Sequence, residues 1–106
     1  MTEHVQTLLR ELKERLTELY GERLQKLVLF GSQARGEAAP DSDIDVLVVL
    51  RGPVNAVHES ERTLDLRVDW NLKYQALVQI VCVTSERYLA EKSPLLINVR
   101  REGVPL

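Results

Sequence analysis

Val5, Leu8, Leu9, Leu12, Leu16 and Leu19 recur at the three-and-four spacing of one helical face. The pattern predicts a first helix, with Thr2 as its cap and Gly21 where it stops. The opposite face carries Glu3, Arg10, Lys13, Glu14 and Glu18 and reads as solvated surface. The period then changes. Leu27-Val28-Leu29-Phe30 is a short unbroken apolar run that enters Gly31-Ser32, and Ile44 to Leu50 is a second such run. Both have the length and the branched residues of buried strands. Between them, residues 32–37 suit a short helical turn, and Ala38-Ala39-Pro40-Asp41-Ser42 suits a loop returning to the sheet.

Arg51-Gly52-Pro53 ends the second strand, and residues 55–72 carry Val57, Leu64, Val68 and Leu72 along one helical stripe. Residues 76–83 predict a third strand, which completes a strand, helix, strand unit. Thr84 or Ser85 can cap a short helix reaching about Glu91. Ser93-Pro94 is a cap and first-turn pair for a last helix ending before Gly103. Helices alternating with strands imply an α/β sandwich. Trp70 and Tyr74, four apart at a helix end, suit core or interface better than a base-stacking platform. Leu95-Leu96-Ile97 and Val99 suit either core closure or a contact in a homo-oligomer.

The candidate chemistry lies where the first two strands meet. Asp43 and Asp45 flank Ile44 at the start of the second strand. Side chains two apart on a strand share a face, so the two carboxylates can converge on one divalent ion. Hard oxygen ligands beside a phosphate-binding turn suit Mg²⁺, which takes one or two carboxylates and fills its shell with water and phosphate. Gly31 permits a tight strand exit, and Ser32 adds a hydroxyl to backbone N–H groups able to hold phosphate oxygens. Arg35 follows closely enough to reach a phosphate, or to pair with Glu37 or Asp41. His4 and His58 have no Cys or His at ligand spacing, so neither supports a zinc site.

Leu29-Phe30-Gly31-Ser32-Gln33-Ala34-Arg35-Gly36, followed by Ser42-Asp43-Ile44-Asp45-Val46-Leu47-Val48, resembles the signature of the minimal nucleotidyltransferases of the DNA polymerase beta superfamily. The resemblance implies one α/β (α+β) domain over residues 1–106, with a mixed sheet of about three to four strands packed with helices. It implies transfer of a nucleoside monophosphate, AMP by family preference, from ATP or another NTP to a hydroxyl. In that family two strand carboxylates, here Asp43 and Asp45, bind Mg²⁺. The glycine-serine turn, here Gly31 and Ser32, holds the triphosphate. A third carboxylate on a later strand completes the family's metal site. Here the central position of that strand is Gln79, a neutral amide, and Asp65 and Asp69 are the nearest acidic alternatives. Asp69 is the candidate third metal ligand. Stand-alone members of this size resemble antitoxins whose partner is a HEPN-type toxin. The alternative is a weak or inactive nucleotide-binding module that acts by contact with such a partner, the reading that Gln79 favours.

Length and charge narrow the acceptor. The 106 residues make one domain, and 44% apolar with 28% charged residues is ordinary globular composition. A net charge of −2 gives no positive field to hold a nucleic-acid backbone, so a large polynucleotide is disfavoured. Cys82 is the single cysteine, expected as a buried thiol. The N-terminus lacks a signal peptide's apolar stretch and no run is long enough to span a bilayer, which with the lone thiol predicts a cytoplasmic protein.

Overall fold

The structure is a computed structural model that describes residues 2–36 and 43–106. The expected loop 38–42, and with it the Glu37 and Asp41 partners considered for Arg35, lie outside the described residues. The helix α1 (Glu3–Tyr20) begins at Thr2, whose hydroxyl accepts from the Val5 N–H, and ends at Gly21 with φ 54°. Val5, Leu8, Leu9, Leu12 and Leu16 are buried as the period requires, but Leu19 faces solvent and Tyr20 takes the last inward position. A 3-10 turn, Gly21–Arg23, redirects the chain into β1 (Leu24–Phe30). The short α2 (Ser32–Arg35) follows, then β2 (Ile44–Leu50).

Residues 55–72 do not form the single helix expected of them. They form α3 (Ala56–Arg62) and most of α4 (Leu64–Tyr74), separated at Thr63. The Thr63 hydroxyl donates to the Glu59 carbonyl at 2.9 Å, a back-bond that bends helices. The expected inward stripe is turned out: Val57, Leu64, Val68 and Leu72 are all exposed, Leu72 at 76%. Glu59, Thr63, Leu66 and Trp70 are buried instead, a second stripe at the same helical spacing. Trp70 anchors it, donating its indole N–H to the Leu8 carbonyl at 3.3 Å with Tyr74 beside it, so this pair is core.

The strand β3 (Val78–Thr84) leads into α5 (Ser85–Ala90), capped by Thr84, and α6 (Pro94–Glu102), capped by Ser93. A two-residue strand, β4 (Val104–Pro105), follows Gly103. Among the described residues the sheet runs in the order β3-β2-β1-β4. It is mixed: β2 pairs antiparallel with β1 and parallel with β3, and β1 pairs antiparallel with β4. A Cβ at Gly103 would strike the Val28 side chain, so glycine lets the chain pass tightly from α6 to the sheet.

Alternation along the strands gives the sheet two different faces. Leu27, Leu29, Ile44, Val46, Val48, Leu50 and Val78 pack against α1 and α4. Val28, Leu47, Val49 and Val83 pack against Leu96 and Val99 of α6, which close this smaller core, while Leu95 and Ile97 stay exposed. Each fully buried aliphatic side chain contributes about 1.5–3 kcal/mol. The first face is the more heavily covered one. The candidate chemistry lies on the second face, at the start of β2 and β3.

Candidate active site

Asp43 precedes β2 and Asp45 is its second residue. By strand parity both lie on the α6 side, the face of Leu47 and Val49. On one side Asp45 is in register with Phe30, where β1 runs into Gly31. On the other it is in register with Gln79 of β3. The Gln79 amide crosses to Asp43, donating from Nε2 to Oδ2 at 2.8 Å. Four sequence segments thus meet at one edge: the glycine-serine turn, the acidic pair, the start of β3 and the end of α6.

Gly31 is required here. Its φ of 76° is one that L side chains rarely adopt, and a Cβ at this position would overlap the Asp45 Oδ2 atom. The space that glycine leaves is where Asp45 sits. Ser32 opens α2 directly after it, half-buried, and Arg35 closes that helix with a guanidinium 3.8 Å from Glu102 of α6. Nothing in the sequence marks Glu102 as that partner, because the contact joins distant segments. A cavity of about 110 Å³ opens between the turn and α6, lined by Gly31, Arg35, Asn98 and Glu102 among others.

The electrostatics suit a cation. Burial pushes the Asp45 carboxyl above its ordinary value, the neighbouring Asp43 charge pushes it further, and Arg35 works in the opposite direction. Two convergent carboxylates raise each other's cost of ionisation, and a divalent ion between them removes that cost. The donor set fits Mg²⁺: two hard anionic carboxylates beside a cavity lined by Gly31 and Arg35.

Asp69 does not join this set. It lies on α4, which packs on the opposite face of the sheet, and its carboxylate is 3.4 Å from Arg15 of α1. Among the described residues no group of three or more His, Cys, Asp or Glu side chains could hold a metal. The expectation of Asp69 as third ligand is therefore corrected by the side of the sheet it occupies. Of the other candidates, His4 packs edge-on against Tyr74 and His58 lines a cleft with Arg23, Glu59 and Arg62. That cleft floors on a cluster the sequence reading missed. Glu59, 4% exposed, accepts from the Tyr20 hydroxyl at 3.0 Å and lies 3.8 Å from Arg23 and 3.6 Å from Arg62. Cys82, half-buried, is 3.6 Å from the same hydroxyl.

The geometry has counterparts among known proteins. The family described as "Nucleotidyltransferase domain" matches residues 9–105. Two chains of Methanocaldococcus jannaschii, each named "Putative protein adenylyltransferase", are similar: MJ0141 is 28% identical over 67% of this chain and 71% of its own. MJ0604 is 32% identical over 76% of this chain and 74% of its own. A solved structure described as a "putative minimal nucleotidyltransferase" superposes over 100% of this chain and 97% of its own, with 32% identity and a TM-score of 0.61. A chain in a toxin-antitoxin crystal structure with AMP-PNP covers 96% of this chain and 68% of its own at 20% identity and a TM-score of 0.59, a likeness of fold.

Proposed function

The chain belongs to the nucleotidyltransferase domain family and is an enzyme of that class, and from that premise we propose that it transfers AMP from ATP to a hydroxyl on a partner protein, with Mg²⁺ as cofactor. The observation that carries this reading is the meeting of Asp43 and Asp45 with the Gly31-Ser32 turn where β1 ends and β2 begins. Relatives named as protein adenylyltransferases support AMP and a protein acceptor. A structural neighbour from a toxin-antitoxin complex supports a toxin partner, and a HEPN-type toxin in the cytoplasm is the partner we assign. No helix among the described residues is long and apolar enough to cross a membrane.

In this reading Asp43 and Asp45 hold the cation, and Ser32 and Arg35 orient the phosphates. Bound there, Mg²⁺ supplies neutralisation of charge on the phosphate oxygens and a template for the triphosphate. The acceptor hydroxyl oxygen then bonds to the α-phosphorus in line as the bond from that phosphorus to the bridging oxygen breaks. Pyrophosphate leaves with the bridging oxygen, and the acceptor proton passes to solvent. Gln79 offers neither a third negative charge nor a base to take that proton, so its presence limits the chemical step more than binding.

The test is incubation with Mg²⁺ and α-³²P-labelled ATP, with and without the HEPN-type partner, followed by a denaturing gel. Label retained on the partner is the expected result. A second reading, a nucleotide-binding module acting by contact alone, is favoured by Gln79. It takes over if no label transfers while Mg·ATP binding is intact.

A further inference from the structure

The geometry points to Gln79 as a positioning residue that orients Asp43 and restricts the site to one divalent cation, an inference that rests on the nucleotidyltransferase reading of the site. Gln79 is in register with Asp45 and by strand parity shares its face, so its side chain stands beside both carboxylates. Its Nε2–H donates to Asp43 Oδ2 at 2.8 Å, which holds that carboxylate in one orientation. An amide that donates to a metal-binding carboxylate acts on the metal from outside the ligand shell, and partners of this kind set ligand orientation and affinity.

The charge count gives the same answer. Two carboxylates balance one divalent ion. The phosphates can serve a second ion as well, but its remaining hold on the protein would need another anionic oxygen, and the position in register with Asp45 holds a neutral amide. Among the described residues no third acidic group, His or Cys completes a cluster with the pair. Gln79 is also exposed. Its bond to Asp43 is therefore not demanded by burial, and replacing it leaves both cores intact.

The experiment is equilibrium dialysis of the purified chain against Mn²⁺ and α,β-methylene-ATP, with bound Mn²⁺ counted by electron paramagnetic resonance. We expect one Mn²⁺ per wild-type chain and two per Q79E chain, whose carboxylate has the same shape and adds the missing charge. Without cation, Q79E should melt a few degrees lower than wild type and recover on adding Mn²⁺, because three carboxylates then crowd one edge. Q79M, which keeps the bulk but loses the donor, should still bind one Mn²⁺ with affinity weaker by about tenfold, at unchanged melting temperature in EDTA. Two Mn²⁺ on wild type, one on folded Q79E, or undiminished affinity in Q79M would each overturn the inference alone. Absence of any nucleotide-dependent Mn²⁺ binding to wild type would instead sink the nucleotidyltransferase reading of the site, and this inference with it.

Discussion

Two carboxylate centres lie at opposite ends of the same sheet, and the protein has treated them differently. Glu59, beside the end where β1 begins and β2 finishes, is almost wholly buried yet fully served by the chain: a tyrosine hydroxyl and two arginines approach it. Asp43 and Asp45, where β2 begins, are shallower yet left side by side, with one neutral amide donor on Asp43 and Arg35 opposing their mutual charge. The first centre balances its charge from within, as burial of an ion demands. Among the described residues the second has fewer partners for its charge, which suits the proposed role of holding an external cation. Depth of burial alone would have ranked them the wrong way round; the completeness of the partner set separates scaffold from site.

The largest effect should come from breaking the second centre. D43N together with D45N should lower AMP transfer to the partner by at least about a thousandfold, since both anionic ligands for the cation are gone. The circular dichroism spectrum should stay that of the wild type, because neither side chain belongs to a core cluster. Retained transfer, measured with labelled ATP, would place the metal elsewhere. The next largest effect belongs to the first centre. E59Q keeps the shape but removes the charge that faces Arg23 and Arg62, and should cost about 2 kcal/mol in urea unfolding. Transfer per folded molecule should be unchanged. Burial and the bonds to Cys82 and Glu59 push the Tyr20 phenol far above its ordinary value, so its donor to Glu59 persists into alkaline solution. Loss of transfer in folded E59Q would join the two centres and end the contrast.

The unequal visibility of these centres in the sequence has a physical cause. Gly31, Ser32, Asp43 and Asp45 are legible because a strand fixes which side chains share a face, and both strands announce themselves as apolar runs; β2 begins and ends where its pattern does. Gln79 was legible as a neutral residue on the third strand, but its bond to Asp43 depends on the parallel register of β2 and β3. The Glu59 centre was not legible. Residues 55–72 carry two stripes of helical period, and the more apolar one, Val57 to Leu72, is the one turned to solvent. Trp70 and Leu66 join the core cluster on the α1 side, and the long-range partners of Glu59 satisfy a charge that sequence alone assigns to the surface. Arg35 with Glu102 fails for the same reason, since local spacing carries no information about a contact between the turn and α6.

A smaller effect sharpens the contrast from the side of stability. D45N alone removes a charge that burial and Asp43 both penalise, so the cation-free protein should gain on the order of 0.5 kcal/mol, a value discounted for the water that still reaches the pair. The pH dependence follows from the direction of the shift. Folded Asp45 holds its proton to higher pH than the unfolded chain does, so its contribution is fully present below the unfolded value and is lost as pH rises through the folded one. In EDTA, wild type should therefore narrow its deficit against D45N as the solution is acidified through that window. A deficit that is flat with pH would mean that Asp45 is not strained by its neighbour.

The smallest predicted effect bears on the opposite face. D69N removes an exposed ion pair with Arg15, worth about 0.3 kcal/mol at most, and Arg15 keeps its place over the Trp70 ring at 5.7 Å. Mn²⁺ affinity and AMP transfer should both stay within about twofold of wild type. The reasoning is geometric: α4 packs on the side of Ile44 and Val46, whereas Asp45 points to the side of Leu47, so the sheet itself stands between Asp69 and the pair. A tenfold loss of Mn²⁺ affinity in D69N would require that carboxylate to pass the sheet edge, and would return to the site the third negative charge that the neutral Gln79 does not supply.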